Sequence, residues 1–402
     1  MATLFRRHWS ASFEGMGRRD RRGCDYDAYV PDPLYGWDLT LQADLAADIA
    51  DAEAAIRRIN DAGVAAVNLE GVARLLLRAE SVASSRIEGV NAGPHRLLQA
   101  EAILARGGDA ADRAAVEVLG NIAAMEAAIA IGTTTSPITL DDLLAIHDAL
   151  MAQSSTPHLG GRVRTTQNWI GGRAFNPCSA SFVPPPPDRV LALLDDLLAY
   201  MNGDDHSPVV QAALVHAQFE TIHPFGDGNG RAGRALIHVV LRRRGLSPRF
   251  VPPVSRALAA WATEYVAGLT TFRHRGAADS AQRSAGAQAW LRTFAAAVRL
   301  SCADAEAYAA KVRVLTDDWH RRLGRVRAAS AVDLLLGVLP GTPVLTVESA
   351  AHLIDRSTMR AGEAVNRLAN AGILRQRNVG RRRYRVFEAE DVVRHLAELD
   401  EG

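Results

Sequence analysis

The sequence predicts a mainly α-helical protein with a β-hairpin inserted ahead of its central helices and a winged helix-turn-helix domain at its C-terminal end. Three observations carry this. Apolar residues recur at three- and four-residue steps over most of the 402 residues. That period breaks between Gly160 and Pro187. After Pro340 a short helix, a turn and a longer helix follow at helix-turn-helix spacing. The chain divides accordingly into an N-terminal arm (1–36), an N-terminal helical region (37–118), a core (119–300), a helical linker (301–339) and the winged-helix domain (340–402).

The first 36 residues are polar, basic and turn-rich, with Pro31, Pro33 and Gly36 closing them. Helical patterning starts at Asp38 to Asn60. It continues at Gly71 to Ile87, where Val72, Leu75, Leu76, Ala79 and Ala83 form one apolar stripe. Helices follow at Ala110 to Ile131, at Thr139 to Met151 with Asp141 and Asp142 in the first turn, and at Asp188 to Met201. Between the last two, Gly160-Gly161 and Gly171-Gly172 punctuate the β-prone runs Asn168-Trp-Ile and Ser181-Phe-Val, which reads as a hairpin with an irregular tip. Pro208 to Thr221 is helical. A Gly-rich loop leads into a helix from Arg231 to Arg244 that stops at Gly245, and more helices fill 254 to 330. At the end, Val347 to Leu353 and a helix ending at Ala371 flank the turn Asp355 to Ser357. Ile373 to Gln376 and Arg382 to Val386, joined through Asn378-Val-Gly380, form the wing.

Composition excludes several classes. A formal net charge of +1 gives no global basic field for nucleic acid. Three scattered cysteines without a CxxC pair suggest neither a disulfide framework nor a zinc site, which fits a reducing compartment. The N-terminus lacks the apolar run of a signal peptide, and no long apolar stretch marks a membrane span, so the expected location is the cytoplasm. Cationic charge carried by Arg in an Ala-rich chain reads as the coding bias of a GC-rich bacterial genome.

Residues His223 to Arg234, reading HPFGDGNGRAGR, concentrate the chemistry. Gly228-Asn229-Gly230 can aim successive backbone N–H groups into one concavity. The helix that follows adds the positive end of its dipole, which makes an anion site. Arg231 and Arg234 stand three apart on one helical face, where their forks can hold phosphate oxygens. Asp227 is a hard ligand suited to a hydrated Mg²⁺ that bridges phosphates. His223 can take the proton of an attacking hydroxyl near neutral pH. The glycine pattern is neither Walker A nor GxGxxG after a strand.

These residues resemble the signature of the Fic (filamentation induced by cAMP) family, His-Pro-Phe-x-Asp-Gly-Asn-Gly-Arg-x-x-Arg, without a departure, and the preceding His216-Ala-Gln-Phe-Glu-Thr-Ile is similar to the family as well. The resemblance implies a Fic helical core and transfer of AMP from ATP, with Mg²⁺, onto a Ser, Thr or Tyr hydroxyl of a target protein or of the chain itself. It implies His223 as base and Asp227 as metal ligand. Gly228, Asn229, Gly230, Arg231 and Gly233 would line the phosphate cradle, and Arg234 would pair with the γ-phosphate. Trp261 and Tyr265 are candidates for the adenine pocket, with core packing as the alternative. The hairpin would be a flap that registers the target by strand addition through Asn168, Trp169, Ile170 and Phe182. Ser84-Ser-Arg-Ile-Glu88-Gly89 resembles the family's inhibitory element. Ser84 and Glu88 lie on one helical face, and Glu88 would pair with Arg234 in place of the γ-phosphate. Whether the chain also removes AMP stays open, and a homodimer is expected by the same resemblance.

Two alternatives accompany this reading. A DNA-binding regulator would read DNA with Thr358 to Ala371 and with Arg377, Arg381, Arg382 and Arg383 of the wing, although such domains also bind proteins. The same scaffold could instead transfer UMP, GMP or phosphocholine, because the phosphate motif does not touch the base.

Overall fold

The computed structural model describes residues 2–13, 15, 17–62, 69–104, 108–377 and 385–394. The predicted helical architecture is present. Two central helices, α7 (Pro208–Ile222) and α8 (Asn229–Arg243), are joined by the Gly-rich loop, and both are buried along almost their whole length. A helix apolar on every side belongs in an interior, which is why α7 shows so little amphipathic character. Around this pair pack α1 (Ala43–Ala62), α2 (Leu69–Ile87), α4 (Arg113–Thr133), α5 (Leu140–Met151), α6 (Pro187–Asn202), α9 (Val254–Ala260), α10 (Ala262–Phe272) and α11 (Ala281–Leu323). Helix α3 (Pro94–Leu104) covers the outer end of α4 through a separate small cluster that includes Leu97 and Val118. The 11 residues of α3 carry only a weak apolar stripe, which leaves little helical period in the sequence.

Helix starts follow the expected chemistry. Thr139 caps α5 by accepting from the Asp142 N–H, while the Asp142 carboxylate accepts from the Thr139 N–H, a reciprocal capping box. Asp112 caps α4. Helix α4 is long and apolar enough to cross a membrane by length and composition, although Glu117, Asn121 and Glu126 interrupt its apolar run and half of that stretch is buried in the fold. In the fold its apolar face packs on α2, α5 and α8.

Two expectations need correction at the N-terminus. The arm is a β-hairpin: β1 (Thr3–Trp9) pairs antiparallel with β2 (Cys24–Val30), in register from Thr3 opposite Val30 to Trp9 opposite Cys24. The signal was present in Cys24-Asp-Tyr-Asp-Ala-Tyr-Val30, where outward Asp25 and Asp27 alternate with inward residues and answer Arg6 and His8 across the ladder. Cys24 and Cys178, 154 residues apart, form a disulfide, so the inference from absent disulfides to a reducing compartment loses its basis. No local spacing reveals such a pair, because only the tertiary fold brings it together.

The expected linker divides: its first part is the end of α11 (Ala281–Leu323), which runs 43 residues, about 65 Å by helical rise, and the helix breaks at Gly324 before the C-terminal elements begin. Its first half buries Trp290 and Phe294 in the main core, and its last turns bury Leu315 and Trp319 in a second core. That second core belongs to α12 (Ala331–Val338), β3 (Val344–Thr346), α13 (Val347–Leu353), α14 (Thr358–Asn370), β4 (Arg375–Gln376) and β5 (Val386–Glu388), with strand order β3-β5-β4. Both helices and the turn fall where expected. The first wing strand shortens to Arg375–Gln376, the second reaches Glu388 over its described part Val386–Glu388, and β3 is an additional strand. Asn378 to Gly380 and Arg381 to Arg383 lie outside the described residues.

Candidate active site

Helix α7 ends on His223, whose left-handed backbone (φ 50°) turns the chain while its N–H still donates to the Phe219 carbonyl at 2.8 Å. Left-handed conformation at a non-glycine residue costs energy that the surroundings must offset. Here Arg164 Nε and Asn168 Nδ2 donate to the His223 carbonyl at 2.8 and 3.2 Å. The loop is then closed by Asn229, whose Oδ1 accepts from the Phe225 N–H at 2.8 Å and whose Nδ2 donates to the Phe225 carbonyl at 2.9 Å. Phe225 is buried under His147, which stacks on it at 3.7 Å and bonds the Asp227 carbonyl through Nε2 at 3.0 Å. Gly228, at φ +72°, precedes α8 where a Cβ would crowd Leu150 and Met151. The Asn229 side chain is thus spent on the loop, and only its backbone N–H remains for an anion.

Burial and the nearby Arg273 and Arg164 charges push the His223 imidazole down to about 4, which leaves it neutral at pH 7. Its Nδ1 has no hydrogen-bond partner and lies 3.9 Å from Glu220 Oε2, while its side chain keeps 18% exposure. Burial pushes the Glu220 carboxyl up to about 7, and its Oε1 is also unpartnered. Glu220 falls within the family-like stretch before His223, but the sequence reading gave it no role.

Arg234, fully buried, is gripped from α2. Its Nε donates to Ser84 Oγ at 2.9 Å, and its Nη2 donates to the Ser84 carbonyl and to Glu88 Oε1, both at 2.8 Å. Burial works against the Arg234 charge, but Glu88, Tyr265 and Glu220 together hold it above its ordinary value. Burial likewise works to raise the Glu88 carboxyl, yet Arg234, Arg231 and His223 hold it below the usual carboxylate range. The Glu88 carboxylate lies over the first turn of α8, so that a Cβ at Gly230 would collide with its Oε1. Two turns back along α2, buried Glu80 meets His238 Nε2 at 3.1 Å and accepts from the Ser255 hydroxyl and N–H at 2.5 and 2.8 Å. From the other side Asn121 of α4 donates to the Ser81 carbonyl at 2.8 Å. Helix α2 is therefore fastened along its length.

Arg231 is buried, with Nε and Nη1 lacking hydrogen-bond partners and Glu117 3.7 Å away. A buried guanidinium with unused donors is prepared for an anion. Gly233 lets α8 cross α7 closely, because a Cβ there would press on Phe219 and Glu220. Exposed Asp227 uses Oδ1 to accept from the Gly228 N–H at 2.7 Å and leaves the rest of the carboxylate open. Among the described residues no three acidic, histidine or cysteine side chains gather as a metal cage. One carboxylate beside an anion cradle fits a Mg²⁺ that keeps waters and takes phosphate oxygens.

Asn168 pins the Gly-rich loop, its Nδ2 also donating to the Phe225 carbonyl at 2.9 Å. Ile170 with Phe182 and Arg173 with Asn176 pair by isolated antiparallel bridges, so the flap carries separate rungs where two strands were expected. Trp169 packs edge-on against Trp9, and Phe182 carries Arg273 over its ring at 3.7 Å. Tyr265 is buried, with its hydroxyl on His216 Nε2 at 2.8 Å and near Arg234 Nη1 at 3.5 Å; Trp261 is half-buried against the main core. The Tyr265 ring accordingly supports Arg234 from within the core. Arg377 of the wing is held by Glu388 at 2.5 and 2.7 Å.

A neutral imidazole, a backbone cradle and two buried guanidiniums define an acid–base site built around an anion. Residues 137–241 match the Fic/DOC family, and residues 46–130 match the Fic/DOC family N-terminal region. Over those two segments the chain is similar to the Fic/DOC family. It is 32% identical over 139 residues to protein adenylyltransferase fic-1 of Caenorhabditis elegans, covering 34% of this chain and 25% of that protein. It is 34% identical over 144 residues to protein adenylyltransferase Fic of Drosophila grimshawi, covering 35% and 28%. The alignments thus span only about a quarter of these relatives. A solved Fic family protein from Desulfovibrio desulfuricans G20 shares the fold, with a TM-score of 0.52 at 22% identity over 89% of this chain and 98% of that one.

Proposed function

We propose that this chain transfers AMP from ATP to a hydroxyl of a protein substrate and is restrained by Glu88. The observation that carries this reading is the clamp on Arg234, in which a carboxylate stands at the N-terminus of α8 where a phosphate would be drawn. Similarity to proteins named adenylyltransferases over the same residues supports it.

In the proposed reaction His223 accepts the target hydroxyl proton, and the freed oxygen bonds to the α-phosphorus as the bond to pyrophosphate breaks. The backbone N–H groups at the start of α8 and the unused Arg231 donors hold the phosphates. Arg234 holds the terminal phosphate once Glu88 withdraws. Asp227 would hold Mg²⁺, whose charge offsets that of the phosphates. Incubation of purified protein with α-labelled ATP tests the reaction, and unlabelled GTP, UTP and CTP as competitors test the base. Label retained on protein and displaced by ATP alone is the expected result.

The C-terminal body reads as a winged helix. Its third helix, α14, exposes Thr358, Met359, Arg360, Glu363, Asn366 and Arg367, and wing Arg377 is already neutralised by Glu388. This mixed face favours a protein partner over DNA.

A further inference from the structure

The N-terminal hairpin lies outside the residues that match the family, yet it is built into the flap. The Tyr29 N–H of β2 donates to the Val183 carbonyl at 2.9 Å, and Phe182 in turn pairs with Ile170. Reading outward, β1, β2, the 181–183 segment and the 168–170 segment lie side by side. Successive backbone groups of an extended chain face opposite sides. Because Ile170 faces Phe182, the Trp169 backbone faces away, and among the described residues it takes no hydrogen bond. One edge of the flap is therefore closed by the hairpin, and the other is open.

The hairpin is also fixed to the flap tip. Cys24 is bonded to Cys178, Asp20 pairs with Arg173 at 2.7 Å, and Asn176 Nδ2 donates to the Arg19 and Asp20 carbonyls at 3.0 and 2.8 Å. Its turn leaves Arg18, Arg19 and Arg22 exposed with no acidic partner among the described residues, because the one acid between them, Asp20, is spent on Arg173. Phe13, 96% exposed, and Phe175, 40% exposed, share this end of the flap.

We propose that the hairpin is the outer wall of the target-docking flap and that its arginine turn selects an acidic target segment, which adds as a strand along the Trp169 edge. This rests on the transfer reading above and names the partner's chemistry. An arriving strand continues past the flap tip, where the arginines offer positive charge and the two phenyl rings offer apolar contact.

The test separates docking from transfer by measuring binding in the full chain carrying His223→Ala. Fluorescein-labelled nonapeptides with a central Thr, flanked by Glu in one series and Lys in the other, are titrated by anisotropy. The Glu series is expected to bind about tenfold more tightly, the sum of three exposed ion pairs. Reversal of Arg18, Arg19 and Arg22 to Glu inverts the preference, and Cys24→Ser weakens both series. Equal binding, no binding, a preference that survives the reversal, or tighter binding of an oligothymidylate than of the Glu peptide would each overturn the proposal. Loss of AMP transfer would not touch it, since the measured protein has no base.

Discussion

Arg234 Nη2 and Glu88 Oε1 stand 2.8 Å apart, joining a guanidinium on α8 to a carboxylate at the end of α2. Their environments are unequal. The arginine side chain is 1% exposed and the glutamate 38%, so the buried partner stays in place while the other has room to leave. Ser84 keeps its two bonds to Arg234 when Glu88 departs, so the guanidinium is never stranded.

The Glu80 latch on His238 and Ser255 lies on the same face of α2 as Ser84 and Glu88, at successive steps of four residues. Breaking a buried pair by removing one partner costs about 3 kcal/mol. Glu80→Ala is expected to lower the unfolding free energy by about that amount and, by loosening α2, to raise basal transfer while Glu88 is still present. Chemical denaturation and labelled-ATP turnover measure the two effects. Loss of stability with unchanged turnover would detach the latch from inhibition.

Asn229 closes the catalytic loop with two bonds to Phe225. Asn229→Ala leaves the buried Phe225 N–H unsatisfied, at about 2 kcal/mol, while Asn168 still donates to the Phe225 carbonyl. Transfer should fall at least tenfold, while Glu88 stays on Arg234 because that contact uses no loop atom. Turnover together with hydrogen exchange of α2 distinguishes loop collapse from a general loss of structure.

Three buried histidines set the response to acid. Burial first, and nearby arginine charge for His216 and His223, lowers His147 and His223 to about 4 and His216 to about 3. Depressed imidazoles contribute stability that is complete above their unfolded value, about 6.5, and is lost as pH falls toward 4. Glu220, raised to about 7 by burial, acts in the opposite sense: its contribution is complete below about 4.5 and is lost as pH rises through 7. Glu220→Gln should therefore stabilise the protein more at pH 8 than at pH 5, as thermal melting at the two pH values will report. In an unrestrained enzyme the neutral His223 keeps turnover level from pH 8 down to 6, and a fall centred at 6.5 would contradict the assignment of a depressed base.

The sequence revealed the site more fully than the fold around it. His223 to Arg234 is contiguous, so local spacing carries the cradle, and Ser84 and Glu88 share a helical face whatever surrounds them. What the spacing concealed depends on long-range contact. Tyr265 and Asn168, named for the adenine pocket and the flap, bond instead to Arg234 and to the Gly-rich loop, and Glu220, an unremarkable glutamate inside an apolar helix, shows nothing of its burial in the sequence. Cys24 and Cys178 meet only once β2 lies along the flap. Helix α3 was missed because its apolar stripe is weak, and β3 because three residues leave no period to read.

The central claim is restraint of an adenylyl transfer by Glu88, and turnover of α-labelled ATP by purified wild-type, Glu88→Gly and His223→Ala protein tests it most directly. An ion pair to a partly exposed carboxylate is worth about 1.4 kcal/mol, so Glu88→Gly should label protein roughly tenfold faster than wild type. His223→Ala should not label at all. Equal labelling by all three would contradict both the base and the restraint.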